Sequence, residues 1–323
     1  MNRRHILTIA AATLAAPRAL RAQANWPTQP VRLVVPFAAG GPTDIPARLF
    51  AEEISRIWPQ RLIIENRTGA GVVVGTELVA KAPKDGYTLL YTTIAHTVLR
   101  PLFPRLSFDP QGDFQPIALV GQIPMLITVN KDFPPRTLQQ LADLLRREPG
   151  KYDYASSGNG GALHLASELF LRRAGARANH VPYRGTAAAM PDVLNGTIPI
   201  IIDVATTAQP YAQRGETRAL AVMADRRLPS LPDVPTTAEA GFPGLEAYTW
   251  HMVMAPAGTP APIVQQVNAT FNRVAAMPEV QRKLSDLAMQ LRSDTTPESA
   301  TAFLRSETEK WETICREAGI RAD

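Results

Sequence analysis

Few side chains in this sequence stand where they could make or break a bond. Ser156 and Ser157 precede His164 as a hydrolase nucleophile precedes its base, but the Gly-x-Ser-x-Gly elbow is absent. His96, His164, His180 and His251 lack a metal-ligand spacing such as His-x-x-x-His, so no metal is expected. There is no Gly-x-x-x-x-Gly-Lys, hence no nucleotide P-loop. Gly69-x-Gly71-x-x-x-Gly75 follows the second strand, and no acidic strand end comes about twenty residues later, as a dinucleotide site requires; Asp85 sits in a turn. The histidines read as hydrogen-bonded structural residues, with His96 and His164 available to line a cleft. Neither an enzyme nor a cofactor is expected.

The chain does supply main-chain N–H groups at strand ends. Val31 to Phe37 reads as a strand and gives way to Ala38-Ala39-Gly40-Gly41-Pro42-Thr43-Asp44. A helix starts at Thr43 or Asp44, with Leu49, Phe50, Ile54, Ile57 and Trp58 near helical spacing. The amides of a first helical turn have no intrahelical partner, and with the helix dipole they seat a carboxylate or phosphate. Phe37, Ala38, Ala39, Gly40, Gly41, Thr43 and Asp44 are therefore candidate ligand contacts. A second such turn follows the strand Tyr152–Ala155, where Ser156, Ser157, Gly158 and Gly160 lead into a helix bearing His164. A third, smaller one is Val181-Pro182-Tyr183-Arg184-Gly185-Thr186. Asp203 ends the run Ile198–Ile202 and has two readings. In the cleft it would repel an anion unless a water intervenes or the ligand carries an ammonium group; otherwise it is a turn or cap for the helix from Thr206 to Arg214.

The elements that must carry these loops alternate. Strands are expected at Leu62–Arg67, Tyr87–Thr93, Pro116–Val120, Met125–Asn130, Asn179–Tyr183 and Arg218–Ala224. Helices are expected at Leu138–Arg147, Leu163–Arg173, Ala187–Leu194, Ala205–Arg214, Pro262–Ala276, Glu279–Leu287 and Pro297–Ala318. Strand–helix alternation implies right-handed crossovers and parallel sheets, whose ligands sit at the carboxyl ends of strands. Two such domains facing each other would aim several helix N-termini into one crevice, suited to a small molecule with two or more carboxylates.

Met1 to Ala24 reads as an export signal: Arg3 and Arg4, an apolar run from Ile6 to Ala16, and a small-x-small site at Ala22-Gln23-Ala24. The run is too short to span a bilayer. The arginine pair leaves Sec and twin-arginine routes both open, and cleavage near Ala24 would deliver the chain to the periplasm. Loss of Arg3, Arg4, Arg18 and Arg21 would take the formal net charge from +5 to +1. No basic tract with interleaved aromatics remains, so no nucleic acid partner is expected. Cys315 is the only cysteine, which excludes an intramolecular disulfide, and it shares a helix face with Leu304, Trp311 and Ile314. About 300 mature residues suggest two domains.

The ordered motifs resemble a known family. They are Trp26-Pro27-x-x-Pro30-Val31-Arg32, Val35-Pro36-Phe37-Ala38-Ala39-Gly40-Gly41-x-x-Asp44, Glu65-Asn66-Arg67-x-Gly69-Ala70-Gly71 and Pro83-x-Asp85-Gly86-Tyr87. Tyr154-Ala155-Ser156-Ser157-Gly158-x-Gly160 with His164, His180-Val181-Pro182-Tyr183-Arg184-Gly185, Leu231-Pro232-Asp233-Val234-Pro235-Thr236 and Ala255-Pro256-Ala257-Gly258-Thr259-Pro260 continue the series. Across essentially the whole mature chain they resemble the extracytoplasmic substrate-binding proteins of tripartite tricarboxylate transporters, the Bordetella uptake gene group.

The resemblance implies an α/β, type II periplasmic-binding fold with two Rossmann-like domains around a hinged ligand cleft. Domain 1 would comprise residues 25–124 and 247–323, and domain 2 residues 125–246. The resemblance also adds Thr92 and Thr93, at a strand end beside the first loop, to the candidate contacts. The expected partners are a small carboxylated ligand and a polytopic membrane permease, the receptor itself being a monomer. A periplasmic sensor for a membrane kinase, or an enzyme on this scaffold, are the alternatives. Two positions depart from the family pattern: Ala188 replaces a proline, with Pro191 nearby, and His251 follows Trp250.

Overall fold

The computed structural model describes residues 26–321; the export signal lies outside the described residues. The chain begins with β1 (Val31–Val35), α1 (Asp44–Ile57), β2 (Leu62–Asn66), α2 (Val73–Ala80) and β3 (Thr88–Thr92), then a 3₁₀ turn Ile94–Val98 and the short α3 (Leu99–Leu102). β4 (Phe114–Asn130), α4 (Leu138–Arg147), β5 (Asp153–Ser156), α5 (Ala162–Ala174), β6 (Asn179–Pro182), α6 (Thr186–Leu194), β7 (Ile200–Val204), α7 (Ala205–Gln213) and β8 (Thr217–Val222) follow. β9 (Tyr248–Pro256), α8 (Ala261–Ala275), α9 (Pro278–Ser285), β10 (Gln290–Leu291) and α10 (Pro297–Ala318) complete it.

The strands run in the order β2-β1-β3-β9-β4-β7-β5-β6, with β8 and β10 also on β4. β1 pairs in parallel with β2 and β3, and β5 in parallel with β6 and β7. β9 and β4 are antiparallel insertions between these two sets. β4 belongs to both halves of the molecule: Phe114–Pro124 pairs with β9, and Met125–Asn130 pairs with β7 and β8. At the changeover Met125 N–H donates to Ala247 O, Ala247 N–H to Met223 O, and Met223 N–H to Met125 O. Three crossing segments thus exchange backbone bonds at one level, and the two α/β lobes meet there.

Two sequence expectations change. Pro116–Val120 and Met125–Asn130 are one strand, and Tyr248–Pro256 is a strand with no sequence counterpart above. β4 tolerates Pro116 and Gly121 because its register with β9 shifts beside each of them.

α1 buries Ala47, Phe50, Ala51 and Ile54, and Phe50 stacks on Phe271 of α8 at 5.5 Å. Trp58 ends the helix and donates its indole N–H to Thr270 Oγ1 at 3.0 Å. The Gly69–Gly75 spacing is structural: a Cβ on Gly75 would lie 2.6 Å from Arg67 O and 2.9 Å from Pro36 Cβ. α2 can approach the exit of β1 only through glycine. Cys315 is buried among Leu304, Trp311 and Ile314, and burial pushes its thiol up to about 12. Among the described residues no helix is long and apolar enough to cross a membrane, and no cluster of three potential ligands could hold a metal.

Candidate functional site

Strand directions bring the loops together. β9 is antiparallel to both β3 and β4, so β3 runs with β4, while β7 runs against it. The carboxyl ends of β1, β2 and β3 therefore point toward the second lobe, and those of β5, β6 and β7 point back. Thr92 is level with Met252 and, through it, with Leu119 on β4, whereas Val204 is level with Met125. Six residues of extended chain, about 20 Å, separate the two sets of strand ends. The glycine loops open into that gap from both sides.

On the first lobe Pro36 stops β1, and the loop turns back on itself through Gly40, whose φ is +77°. Ala38, Ala39 and Gly40 are exposed, while Thr43 and Asp44 are buried. The Asp44 carboxylate lies beneath the loop, accepting from Gly40 N–H (2.7 Å), Arg48 Nε (2.7 Å) and Asn66 Nδ2 (2.8 Å). Asn66 also donates to Phe37 O at 3.0 Å. Burial alone would raise the Asp44 pKa, but the bonds from Arg48, Gly40 and Asn66 outweigh it and hold it below the usual 3.8. With the loop braced from below, the amides of Ala38, Ala39 and Thr43 have no acceptor among the described residues. Thr92, at the end of β3, is fully buried, and its hydroxyl has no partner among the described residues. Thr93 caps the following turn by accepting from Ala95 N–H at 3.4 Å.

On the second lobe the loop 156–161 is held by its own side chains. Ser156 Oγ accepts Gly158 N–H at 3.1 Å and lies 2.5 Å from His180 Nε2. His164 Nδ1 accepts Gly160 N–H at 3.1 Å, so His164 caps the loop that precedes its helix. Gly160, with φ +67°, meets the other lobe: a Cβ placed there would lie 2.4 Å from Leu102 Cδ1. Gly185, with φ +123°, starts α6 at Thr186 despite the departure at Ala188, and Pro191 is accommodated inside that helix.

Asp203 is fully buried at the end of β7. It accepts the hydroxyls of Thr207 (2.6 Å) and Thr186 (3.1 Å) and the Val204 N–H (2.8 Å), which ties the starts of α6 and α7 to the strand end. Burial pushes its carboxyl up to about 6 against these three bonds. His96 and His251 are buried, and the His96 main-chain N–H donates to Thr93 O at 2.9 Å. His96 Nε2 is 2.6 Å from Pro110 O, and His251 Nδ1 is 3.0 Å from Tyr91 OH. Burial lowers their pKa values to about 4 and about 3.

The structure thus gathers Phe37 to Asp44, Thr92 and Thr93 on one wall and Ser156 to His164 on the other, with Asp203 behind the second wall. Sequence reasoning missed the supports Arg48, Asn66 and Leu102, and read His180 as a hydrogen-bonded structural residue, as found. Only Arg48 carried a local signal, its four-residue spacing from Asp44. Two cavities lie elsewhere on the lobe interface. One of about 540 Å³ is lined by Glu168, Arg172, Ile314 and Glu317; one of about 930 Å³ by Gln209, Arg226, Arg282 and Asp286. An ion pair between Arg172 and Glu317 spans the first. Neither is lined by residues of the two glycine loops.

Comparison with known proteins bears on the family and the fold. A profile of the tripartite tricarboxylate transporter family receptor matches residues 46–320. The structure of the periplasmic binding protein BugD is 34% identical, with a TM-score of 0.78 over 92% of this chain and 100% of that one. The R. palustris protein Rpa4515, solved with adipate, is 35% identical, with a TM-score of 0.80 over 91% and 99% of the two chains. MatC from Rhodopseudomonas palustris, solved with bound malate, is 34% identical, with a TM-score of 0.77 over 90% and 99%.

Proposed function

We propose that this chain, which belongs to the tripartite tricarboxylate transporter family of receptors, captures a small di- or tricarboxylate in the periplasm and delivers it to a membrane permease. The fold is that of a periplasmic binding protein with two α/β lobes, and its structural neighbours are binding proteins. The observation that carries the ligand class is the set of unpaired amides at Ala38, Ala39 and Thr43, which face a second glycine loop across the gap. One carboxylate rests on those amides with the buried Thr92 hydroxyl near by, and the second lobe closes through Ser157 to Gly160. Adipate and malate, present in the two neighbours, each carry two carboxylates. Asp44 and Asp203 shape the walls and do not touch the anion.

The lobes divide at 124/125 and 246/247, where the pairing of β4 changes partner and Met125 bonds to Ala247. Residues 1–24 direct export and are removed, and the mature receptor works as a monomer. The test is a thermal-shift panel of dicarboxylates, tricarboxylates, acidic amino acids and aromatic acids. A ligand at a thousand times its Kd stabilises by about 4 kcal/mol, which raises the midpoint by several degrees. Gly41→Val, whose Cβ would crowd Ala38 O at 3.3 Å, should abolish that rise with the unliganded midpoint nearly unchanged. A panel with no response, or an unaltered response in the variant, refutes the assignment.

A further inference from the structure

The loop on the second lobe is shaped by two imidazoles to which the binding role above assigns no work. The His164 and His180 rings stack with centroids 3.7 Å apart and planes 20° from parallel. His164 holds one limb of the loop through Gly160 N–H, and His180 holds the other through Ser156 Oγ, which accepts Gly158 N–H. His180 also stacks on Tyr154, centroids 5.1 Å apart, and the Tyr154 hydroxyl donates to Glu168 Oε1 at 2.5 Å. Glu168 lies one turn beyond His164 on α5, so the contacts form a closed circuit from loop to helix to strand and back. The titratable groups facing the pair are Tyr154 from β5 and Glu168 from α5.

We infer that His164 is a positioning residue for the ligand site, an uncharged acceptor that sets the Gly160 amide and, together with His180 and Ser156, fixes the loop in the shape that meets the ligand. This rests on the reading that the loop closes over a carboxylate. The choice of imidazole follows from charge. On the first lobe a carboxylate can brace its loop because Arg48, 2.7 Å away, compensates Asp44. A carboxylate in place of His164 would repel an anionic ligand held by the loop. A neutral nitrogen accepts the same N–H without that repulsion. His164 is 7% exposed, and burial together with the neighbouring His180 lowers its pKa to about 3, which keeps Nδ1 unprotonated at ordinary pH.

Asparagine and glutamine separate this role from mere packing, since Asn Oδ1 falls near the His Nδ1 position whereas Gln extends its amide toward the Nε2 position. In the unliganded protein, Gly160 amide exchange in His164→Asn should stay within threefold of wild type, and in His164→Gln it should accelerate at least tenfold. Adipate binding by calorimetry should follow the same order. The His164 ring should show no titration between pH 8 and 5. Equal exchange in both variants, or a His164 titration in that range, overturns the inference. The expected exchange pattern with equal adipate affinity in all three proteins instead removes the loop from the ligand site, a failure of the underlying reading alone. Ser156→Ala repeats the exchange test at Gly158 should the His164 variants not fold.

Discussion

Gly160 and Leu102 touch across the two lobes: a Cβ on the glycine would lie 2.4 Å from Leu102 Cδ1, and the glycine φ is +67°. The loop before α5 is therefore seated directly on α3, the short helix after β3. Two separate costs attach to any side chain here, a steric one against Leu102 and a backbone one of about 1–2 kcal/mol for the left-handed conformation.

Gly160→Ala should weaken ligand binding tenfold or more, because the lobes cannot approach as closely. The backbone cost is borne with or without ligand, so the unliganded unfolding midpoint should fall by only the few degrees that about 1–2 kcal/mol represents. Adding Leu102→Ala removes the clash and leaves the backbone cost, so the double variant should recover most of the affinity. Calorimetry on the three proteins decides the matter, and a single variant that binds like wild type refutes the contact.

Asp44→Ala should destabilise the first loop, since it leaves the Gly40 N–H, the Asn66 amide and the Arg48 guanidinium without their acceptor. The expected loss is about 1–3 kcal/mol. The pH dependence has a definite sign. Because the folded pKa lies below 3.8, the contribution is complete above about pH 4 and is lost as pH falls through the lower, folded value. Denaturant midpoints of the two proteins should accordingly differ at pH 7 and converge at strongly acid pH.

Much of this arrangement is legible locally, and the remainder is tertiary. The β1–loop–α1 unit announces itself because Pro36, the glycines and the stripe from Phe50 to Ile54 all act within one short stretch. The same holds for α4 and α10, whose ends carry Thr137 and the Thr296/Ser299 capping box. β4 is not legible, since Pro116, Gly121 and Pro124 look like breaks until β9 is seen to shift register beside the first two. Gly121 in fact makes room for β10: a Cβ there would sit 2.8 Å from Gln290 O. Nor does the sequence say which way a carboxylate looks. Asp44 and Asp203 sit at loop ends in the pattern, and only the fold turns both inward onto amides and hydroxyls. The His164–His180 stack joins α5 to β6, a pairing no local periodicity encodes.

Asp203→Asn reverses the usual carboxylate trend. With the folded pKa near 6 and the unfolded value near 3.8, the folded state holds the proton more tightly, so the wild type loses stability from this group as pH rises from about 4 to 6. The buried histidines act in the opposite direction, which makes the difference between variant and wild type the useful quantity. That difference should favour the asparagine variant by roughly 2 kcal/mol more at pH 7 than at pH 4, since each pKa unit is worth about 1.4 kcal/mol and the unfolded carboxyl is already partly ionised at pH 4. A difference that does not vary with pH would mean that Asp203 is charged and well solvated.

Thr206 makes a further contact between the lobes, donating its hydroxyl to Leu287 O at 2.6 Å. Thr206 opens α7 on the second lobe, and Leu287 follows α9 on the first, beside Ala288 with φ +56°. The bond joins the two lobes near the changeover of β4. Thr206→Val keeps the shape of the side chain and removes the donor, at a cost of about 1 kcal/mol to the closed form. A ligand that binds the closed form alone then shows its apparent Kd raised by the full loss in closed population, about fivefold. The unliganded midpoint should move by no more than the few degrees that about 1 kcal/mol represents. An unchanged Kd would show that the ligand-bound state does not use this contact, and small-angle scattering with and without ligand would then place the lobes in a different relative position.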